Sequence, residues 1–314
     1  MSEILLADIG GTHARFALLT DAGIGPIAEI DVAASANFET ALAWYLERAN
    51  SVPRNAALAV AGPVGAGPVR LTNSDWIIDA AAVEKRFGFA RVRLVNDFAA
   101  TAWAVPRLDA GAVRQIGGGT LEPTAPAAVL GPGTGLGVAA YLPGDPGRVI
   151  VGEGGHATLA VAADREDQIV ARLRARFGHV SVERVLSGAG LVNLYEAIAA
   201  VDGATVPARS AEEVSTAALD DVCSTCREAL ALFCAMLGAV AGDLALILGA
   251  RGGVYVAGGI APQILDFLAA SHFRARFEAK GRMADYVAAI PTYGVVHPHP
   301  TFVGLAELMR RNGA

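Results

Sequence analysis

The stretch Ile4-Leu-Leu-Ala-Asp8-Ile-Gly10-Gly11-Thr12-His-Ala-Arg-Phe-Ala17 leaves the chain few ways to begin folding. Ile4 to Ala7 is apolar and reads as a buried strand. One acid and a Gly-Gly turn follow, and a second apolar segment, Ala14 to Leu19, leads away. Apolar run, glycine turn, apolar run is the pattern of a β-hairpin. With no Cβ at Gly10 or Gly11, backbone N–H groups can line the inside of the turn. Such concave rows of N–H groups hold phosphate oxygens. Asp8 at the mouth can hold Mg²⁺, directly or through water.

A second stretch repeats the design. Ala127 to Leu130 is apolar, Gly131-Pro-Gly133-Thr134-Gly135 is the turn, and Leu136 to Tyr141 is apolar again. Two hairpins of one kind suggest two similar halves facing a shared nucleotide. A third glycine turn, Val254-Tyr-Val-Ala-Gly258-Gly259-Ile260, ends a strand and opens a helix, and can carry the base and ribose end. Glycine pairs also occur in ordinary hairpins, so each turn alone is weak; the three in this order are specific.

The rest of the chain narrows the classes. At 314 residues it is one large or two ordinary domains. With 53% hydrophobic and 18% charged residues it can bury a large core rather than stay disordered. A net charge of −6 argues against nucleic acid as the main partner. Neither lysine, Lys85 or Lys280, sits in a GxxxxGK[ST] loop, so a P-loop site is excluded. The first strand is not followed by GxGxxG, so a Rossmann site fits poorly. The start has no basic n-region, and Asp8 interrupts its apolar run, so no signal peptide is expected. Ala229 to Ala250 is long and apolar enough to span a bilayer. Asp243 inside it would cost about 2.5–3.5 kcal/mol there, so a buried core helix is expected, with no membrane partner. Cys223, Cys226 and Cys234 read as reduced cytoplasmic thiols, and the Cys223–Cys226 pair as structural rather than zinc-binding.

Along the chain, Pro26 to Val32 reads as a third strand, and Asn37 as the cap of a helix with Phe38, Ala41, Leu42, Tyr45 and Leu46 on one face. Ala56 to Val60 is a strand, and Leu71 to Trp76 a polar loop. Asp79 caps a helix that Gly88 ends. Val92 to Val95 is a strand delivering Asn96-Asp97 to a helix closed by Pro106. This β-α-β-α order predicts a mixed sheet with a parallel part and ligand groups beyond the carboxyl ends of its strands. Glycine rises between Leu108 and Thr124, where a domain boundary is expected. This gives a small α/β domain over 1–110, joined by the C-terminal helix at about 301–314, and a larger α/β domain over 111–300. In the second half, Arg148–Val151 is a strand, Ala163–Phe177 a helix ended by Gly178, Ser181–Gly188 a short capped helix, and Leu191–Ala200 another. Asp221–Leu248 is a long core helix. Gly253–Ala257 and Tyr293–Val296 are strands, and Thr301–Arg311 is a final amphipathic helix.

Three groups of residues can carry chemistry. Asp97 at a strand end can take a proton from an alcohol attacking a phosphoryl group, with Asn96 orienting that alcohol; either residue can equally be a helix cap. Glu153 and His156 sit among paired glycines, either as partners of a polyhydroxylated molecule or as a solvated turn. Glu183 is either a favourable charge near a helix start or a further sugar contact.

Taken together, Ala7-Asp8-Ile9-Gly10-Gly11-Thr12, Leu94-Val-Asn96-Asp97-Phe98, Gly131-Pro-Gly-Thr-Gly-Leu-Gly137, Gly152-Glu153-Gly-Gly-His156, Glu183-Arg-Val-Leu-Ser-Gly188 and Ala257-Gly-Gly-Ile260 resemble the bacterial ATP-dependent glucokinases, from residue 4 to about 308. The resemblance implies the actin-like (ribonuclease H-like) ATPase fold, two α/β domains with mixed sheets, and ATP in the cleft between them. It implies a cytoplasmic homodimer that passes the γ-phosphoryl of ATP to the 6-hydroxyl of glucose, the first step of glycolysis. Asp97 would be the general base. Asn96, Glu153, His156 and Glu183 would bind glucose together with the backbone of Gly135. Ala7 to Thr12 and Gly133-Thr134 would contact phosphates, Gly258-Gly259 the nucleoside end, and Asp8 would stand near Mg²⁺. The zinc-binding cysteine cluster and the N-terminal DNA-binding segment of the related repressor-and-kinase group are not matched, so the zinc-free glucokinases are the better fit. His13 stands where some relatives carry Asn, and Pro298-His299-Pro300 is local to this chain. Three alternatives remain open at this point: a kinase for another hexose or an N-acylhexosamine, a non-catalytic sugar sensor, and an actin-like chaperone or filament ATPase.

Overall fold

The computed structural model describes residues 3–65, 67–71 and 74–311. It separates into two units, one formed by Met1–Leu108, Asp145–Val151 and His297–Ala314, the other by Asp109–Gly144 and Gly152–Val296. In the first unit, β1 (Ile4–Ile9) and β2 (His13–Thr20) form the expected hairpin, with Ile9 opposite Ala14. The strand expected from Pro26 to Val32 is shorter. β3 (Gly23–Ile24) and β4 (Ala28–Asp31) each pair with β2, and Pro26, which has no N–H to give a ladder, lies between them. α1 (Phe38–Ala49) starts where Asn37 accepts the Thr40 N–H at 2.9 Å, and it buries Phe38, Ala41, Leu42 and Tyr45. β5 (Asn55–Val60), β6 (Val69–Arg70) and β7 (Ile77–Ile78) follow. Part of the polar loop read over Leu71–Trp76, at Thr72 and Asn73, lies outside the described residues. Asp79 caps α2 (Ala80–Phe87), and Gly88 ends it at φ 74°. β8 (Arg91–Asn96) leads into α3 (Asp97–Ala104).

The sheet order is β3-β2-β1-β5-β8, with β1, β5 and β8 parallel. A central parallel strand is covered on both faces, which is why β1 and β5 read as continuous apolar runs instead of alternating. Ile4 to Ala7 and Ala56 to Val60 are all fully buried.

In the second unit, the stretch read as a glycine-rich boundary contains a strand, β9 (Val113–Gly117). β10 (Ala127–Pro132) and β11 (Leu136–Leu142) form the second hairpin; β12 (Arg148–Gly152), which follows in the chain, belongs to the first unit up to Val151. α4 (Asp164–Phe177) ends at Gly178. Ser181–Gly188 is not one helix. Only Val182–Arg184 forms a tight turn, Val185 leaves helical geometry at φ −121°, and Ser187 is extended at φ −151°. The Ser187 hydroxyl donates to the Glu183 carbonyl and accepts from the Gly190 N–H, so Ser187 opens α5 (Gly188–Val201). α6 (Ala211–Leu219) was not anticipated, although Ser210 and Glu213 form a reciprocal capping box that Ser-x-x-Glu spells out. α7 (Ser224–Leu248) starts three residues later than expected, because Asp221 sits at φ 56° and Cys223 is the cap.

By length and composition α7 is apolar enough to cross a membrane, but one side of it packs into the unit's core. Gly238 and Gly242 let it close on the Phe273 and Phe277 carbonyls, where a Cβ would come within 2.0 and 2.5 Å. Asp243 pairs with Lys280 at 2.6 Å, which accounts for the charge inside the apolar run. β13 (Val254–Val256), α8 (Leu265–Ala270), α9 (Phe273–Glu278), α10 (Ala284–Ala288) and β14 (Thr292–Val295) complete the unit. From β11 its sheet runs β11-β10-β13-β14-β9; β10, β13 and β14 are parallel, and β9 is antiparallel on β14.

α11 (Pro300–Arg311) belongs to the first unit and lies along α3. Gly304 meets the Ala100 carbonyl so closely that a Cβ there would stand 1.7 Å from the oxygen. Glu307, fully buried, accepts from Arg107 at 2.6 Å and from Arg311. A buried carboxylate persists only with such partners.

Candidate functional site

In the first unit the register of the parallel strands gathers the candidate residues at one edge. Ile9, Val60 and Asn96 stand side by side at the carboxyl ends of β1, β5 and β8. The turns that leave those ends therefore share one rim: Gly10-Gly11-Thr12, Ala61-Gly62, and Asp97. The Ala61 N–H donates to the Ile9 carbonyl at 3.1 Å, and Gly10 N–H to the His13 carbonyl at 3.0 Å, which closes the hairpin turn. Ala7 and Ile9 are buried ladder residues, so what they can offer a ligand is backbone.

Asp8 faces Arg15 across the hairpin at 3.9 Å. Burial pushes its carboxyl up to about 6, with Arg15 pulling the other way. Arg15 is itself held by Glu29 at 2.5 Å, and His13 lies 3.0 Å from Asp31. Composition and spacing gave no sign of Arg15 as the neighbour of Asp8; only the hairpin register does that.

Asn96 settles which of the adjacent pair is the helix cap. Its Oδ1 accepts from Ala99 N–H at 3.0 Å, and its Nδ2 donates to the Gly62 carbonyl at 3.1 Å. Asp97 is then the first residue of α3, partly exposed, with Oδ1 accepting from Phe98 N–H at 2.8 Å. An anion at that position also lies at the positive end of the helix.

The second unit assembles its own group. The Gly131–Gly135 turn is closed by a Gly133 N–H to Gly135 carbonyl bond at 2.8 Å. Gly188, at the start of α5, donates to the Gly133 carbonyl at 2.8 Å, and Ile260 to the Pro132 carbonyl at 3.2 Å. Gly258 sits at φ 81°, where a Cβ would meet the Pro132 carbonyl at 2.5 Å, and Gly259 lies against Gly133. Gly133, Thr134, Gly258 and Gly259 are thus neighbours, with Thr134 and Gly259 exposed. The start of α5 is adjacent to them, a neighbour that the sequence alone did not disclose.

Glu183 reaches the other side of the same turn. Its Oε2 accepts from the Leu136 N–H at 2.8 Å, and a Cβ on Gly135 would stand 2.5 Å from that oxygen. Gly155 packs on the Leu136 carbonyl with equal closeness, 2.4 Å to a built Cβ. This places the Glu153–His156 turn, with Glu153 and His156 exposed, beside β11, and the Val182 N–H to Ala157 carbonyl bond, 2.9 Å, joins it to the Glu183 turn. Gly135, Glu153, His156 and Glu183 therefore share one end of β11.

Among the described residues no cluster of three or more His, Cys, Asp or Glu side chains forms a ready-made metal cage. The donor chemistry suits Mg²⁺ carried by a nucleotide, which takes one or two carboxylates and otherwise phosphate and water. Asp8, an oxygen donor beside the Gly10-Gly11 turn, fits that requirement.

Several solved structures share this architecture. A glucokinase from an Antarctic psychrotroph superposes with a TM-score of 0.89 at 38% identity, covering 99% of this chain and 100% of that one. A hexokinase of the ROK family from Thermus thermophilus matches in fold, with a TM-score of 0.69 at 18% identity over 99% of this chain and all of that one. These likenesses and the paired glycine turns define a sugar kinase of the actin-like fold. Among curated relatives, glucokinases from Paramagnetospirillum magneticum and Aromatoleum aromaticum are each 47% identical. The first match covers 98% of this chain and 97% of the relative, the second 97% and 94%. The family model described as Glucokinase matches residues 5–312. The chain belongs to the glucokinase family, and it is an ATP-dependent hexose kinase.

Proposed function

We propose that the chain transfers the γ-phosphoryl group of ATP to the 6-hydroxyl of glucose, giving glucose 6-phosphate and ADP, with Asp97 as the general base. The observation that carries this reading is the strand register of the first unit. It brings a carboxylate and the Gly10–Thr12 turn to the same sheet edge, two strand spacings or roughly 10 Å apart. One rim can therefore serve both a phosphate tail and the hydroxyl that attacks it.

The Asp97 carboxylate takes the proton of the 6-hydroxyl as that oxygen attacks in line. Asn96, its side chain fixed by the cap and by Gly62, presents its remaining amide hydrogen-bonding capacity to the sugar. Glu153, His156, Glu183 and the Gly135 backbone hydrogen-bond the ring hydroxyls. A sugar lacking one hydroxyl would leave a polar partner unpaired, which is the source of selectivity. The Gly10–Thr12 backbone and Gly133-Thr134 hold phosphate oxygens, and Gly258-Gly259 supports the nucleoside. Mg²⁺, near Asp8, would supply charge neutralisation between the phosphates when bound. We assign the activity to the cytoplasm, as the entry step of glycolysis, and the working form to a homodimer.

The test is sugar-dependent ADP release across glucose, mannose, fructose and N-acetylglucosamine, for the unaltered protein and for Asp97→Asn. Glucose should give the highest kcat/KM, and Asp97→Asn should lose at least ~100-fold in kcat while calorimetry still detects glucose binding. Near-normal turnover in that variant removes Asp97 from its role. A higher kcat/KM with another sugar reassigns the substrate.

A further inference from the structure

Two thiols outside the kinase chemistry share one helix start. Cys223, half-buried, is the N-cap of α7, and its Sγ accepts from the Cys226 N–H at 3.5 Å. Cys226, one turn further on, is fully buried, and the two thiols hydrogen-bond each other. Arg209 lies beside both, and its Nε is buried with no hydrogen-bond partner.

The pair is chemically asymmetric. Burial works against ionisation at Cys223, but the Cys226 N–H and thiol and the Arg209 charge together hold it below the usual thiol range. At Cys226, burial and the neighbouring Cys223 push the thiol up to about 11. Cys234, deeper in the same helix, is pushed by burial to about 12. A thiolate at Cys223 would meet the Thr225 and Cys226 N–H groups and the positive end of a 25-residue helix.

We propose that Cys223 and Cys226 are a redox-active dithiol, closed to an internal disulfide by low-molecular-weight disulfides, with Cys223 attacking and Cys226 resolving. The Cys223 thiolate attacks one sulfur of the external disulfide, forming a mixed disulfide and releasing the first external thiolate, which takes up a proton. Cys226 then gives up its proton and attacks the Cys223 sulfur, releasing the second external thiol. Two protein thiols are oxidised, and one external disulfide is reduced to two thiols. The cap bond already draws the Cys223 sulfur over the first turn of the helix, where Cys226 lies.

The experiment treats the full-length protein with oxidised glutathione, blocks free thiols with iodoacetamide, and maps the peptides by mass spectrometry. The expected result is a Cys223–Cys226 bridge with Cys234 alkylated only after unfolding. In Cys226→Ser a glutathione adduct should accumulate on Cys223. In untreated protein, iodoacetamide should label Cys223 at least about tenfold faster than Cys234, a reading that needs no variant. Equal labelling of Cys223 and Cys234, or a stable adduct on Cys223 with no bridge in the unsubstituted protein, overturns the proposal. None of these readings depends on kinase turnover.

Discussion

Replacing Gly304 with Ala sets two effects of opposite sign against each other. Gly304 lies inside α11, so helix propensity alone predicts a gain of about 1 kcal/mol. The added Cβ, however, would stand 1.7 Å from the Ala100 carbonyl oxygen, 2.8 Å from its carbon and 2.9 Å from the Ala104 nitrogen. All three are backbone atoms of α3 or its end, and none can rotate away. The two helices must part by roughly 1.5 Å, an overpacking cost of about 2–3 kcal/mol that outweighs the propensity gain. A net loss of about 1–2 kcal/mol lowers Tm by roughly 1.5–3 °C in a chain of this size. Trp44, Trp76 and Trp103 are the tryptophans of this chain, and all belong to the first unit, so tryptophan fluorescence reports that unit's melting. Because Asp97 opens α3, the same displacement moves the proposed base, and kcat should fall about tenfold or more. A fluorescence Tm that stays level or rises, with kcat unchanged, would show that α11 and α3 do not meet at Gly304.

Three further outcomes are expected. Gly258→Ala forces a side chain onto a φ of 81° and against the Pro132 carbonyl, so the KM for ATP should rise about tenfold in a steady-state assay, with a smaller change for glucose. Gly135→Ala pushes on the Glu183 carboxylate, so here the KM for glucose should rise by a similar factor and that for ATP little. Burial would raise the Glu307 carboxyl, but hydrogen bonds from Arg311 and Arg107 hold it below the usual range. Its contribution is therefore complete above about pH 4.5 and lost as pH falls further. Tryptophan-monitored urea midpoints from pH 7 to 3.5 should show this acid slope flattened in Glu307→Gln, with about 1–3 kcal/mol lost at pH 7.

What the sequence disclosed tracks how local each feature is. The two hairpins, the Asn37 and Asp79 caps and the Gly88 stop are decided within a few residues, and composition reveals them. β9 escaped because Val113-Arg-Gln-Ile116 shows no apolar–polar alternation and becomes a strand only by pairing with β14. The start of α5 was placed late because Ser181 and Ser187 are equally good cap residues; the Ser187 bonds to Glu183 and Gly190 decide between them. In the candidate site, Asp97 and the glycine turns were legible as motifs. The contact of Glu183 with Gly135 and the Arg15 neighbour of Asp8 were not, since both depend on strand pairing and on turns far apart in the chain. Gly304 reads in sequence as a helix weakness, and only the packed structure turns it into a point of contact.

The placement of α11 also bears on how the molecule is made. The first unit's sheet is synthesised early, but the helix that covers the Ala99–Ala104 face of α3 leaves the ribosome only after the whole second unit has been translated. At about 5–20 residues per second, the nascent first unit waits roughly 10–40 s with that apolar side uncovered. The second unit, whose elements lie within one nearly continuous span, can complete itself first. The lobe built first is thus the one finished last, and it is the stretch of nascent chain that most needs shelter from aggregation.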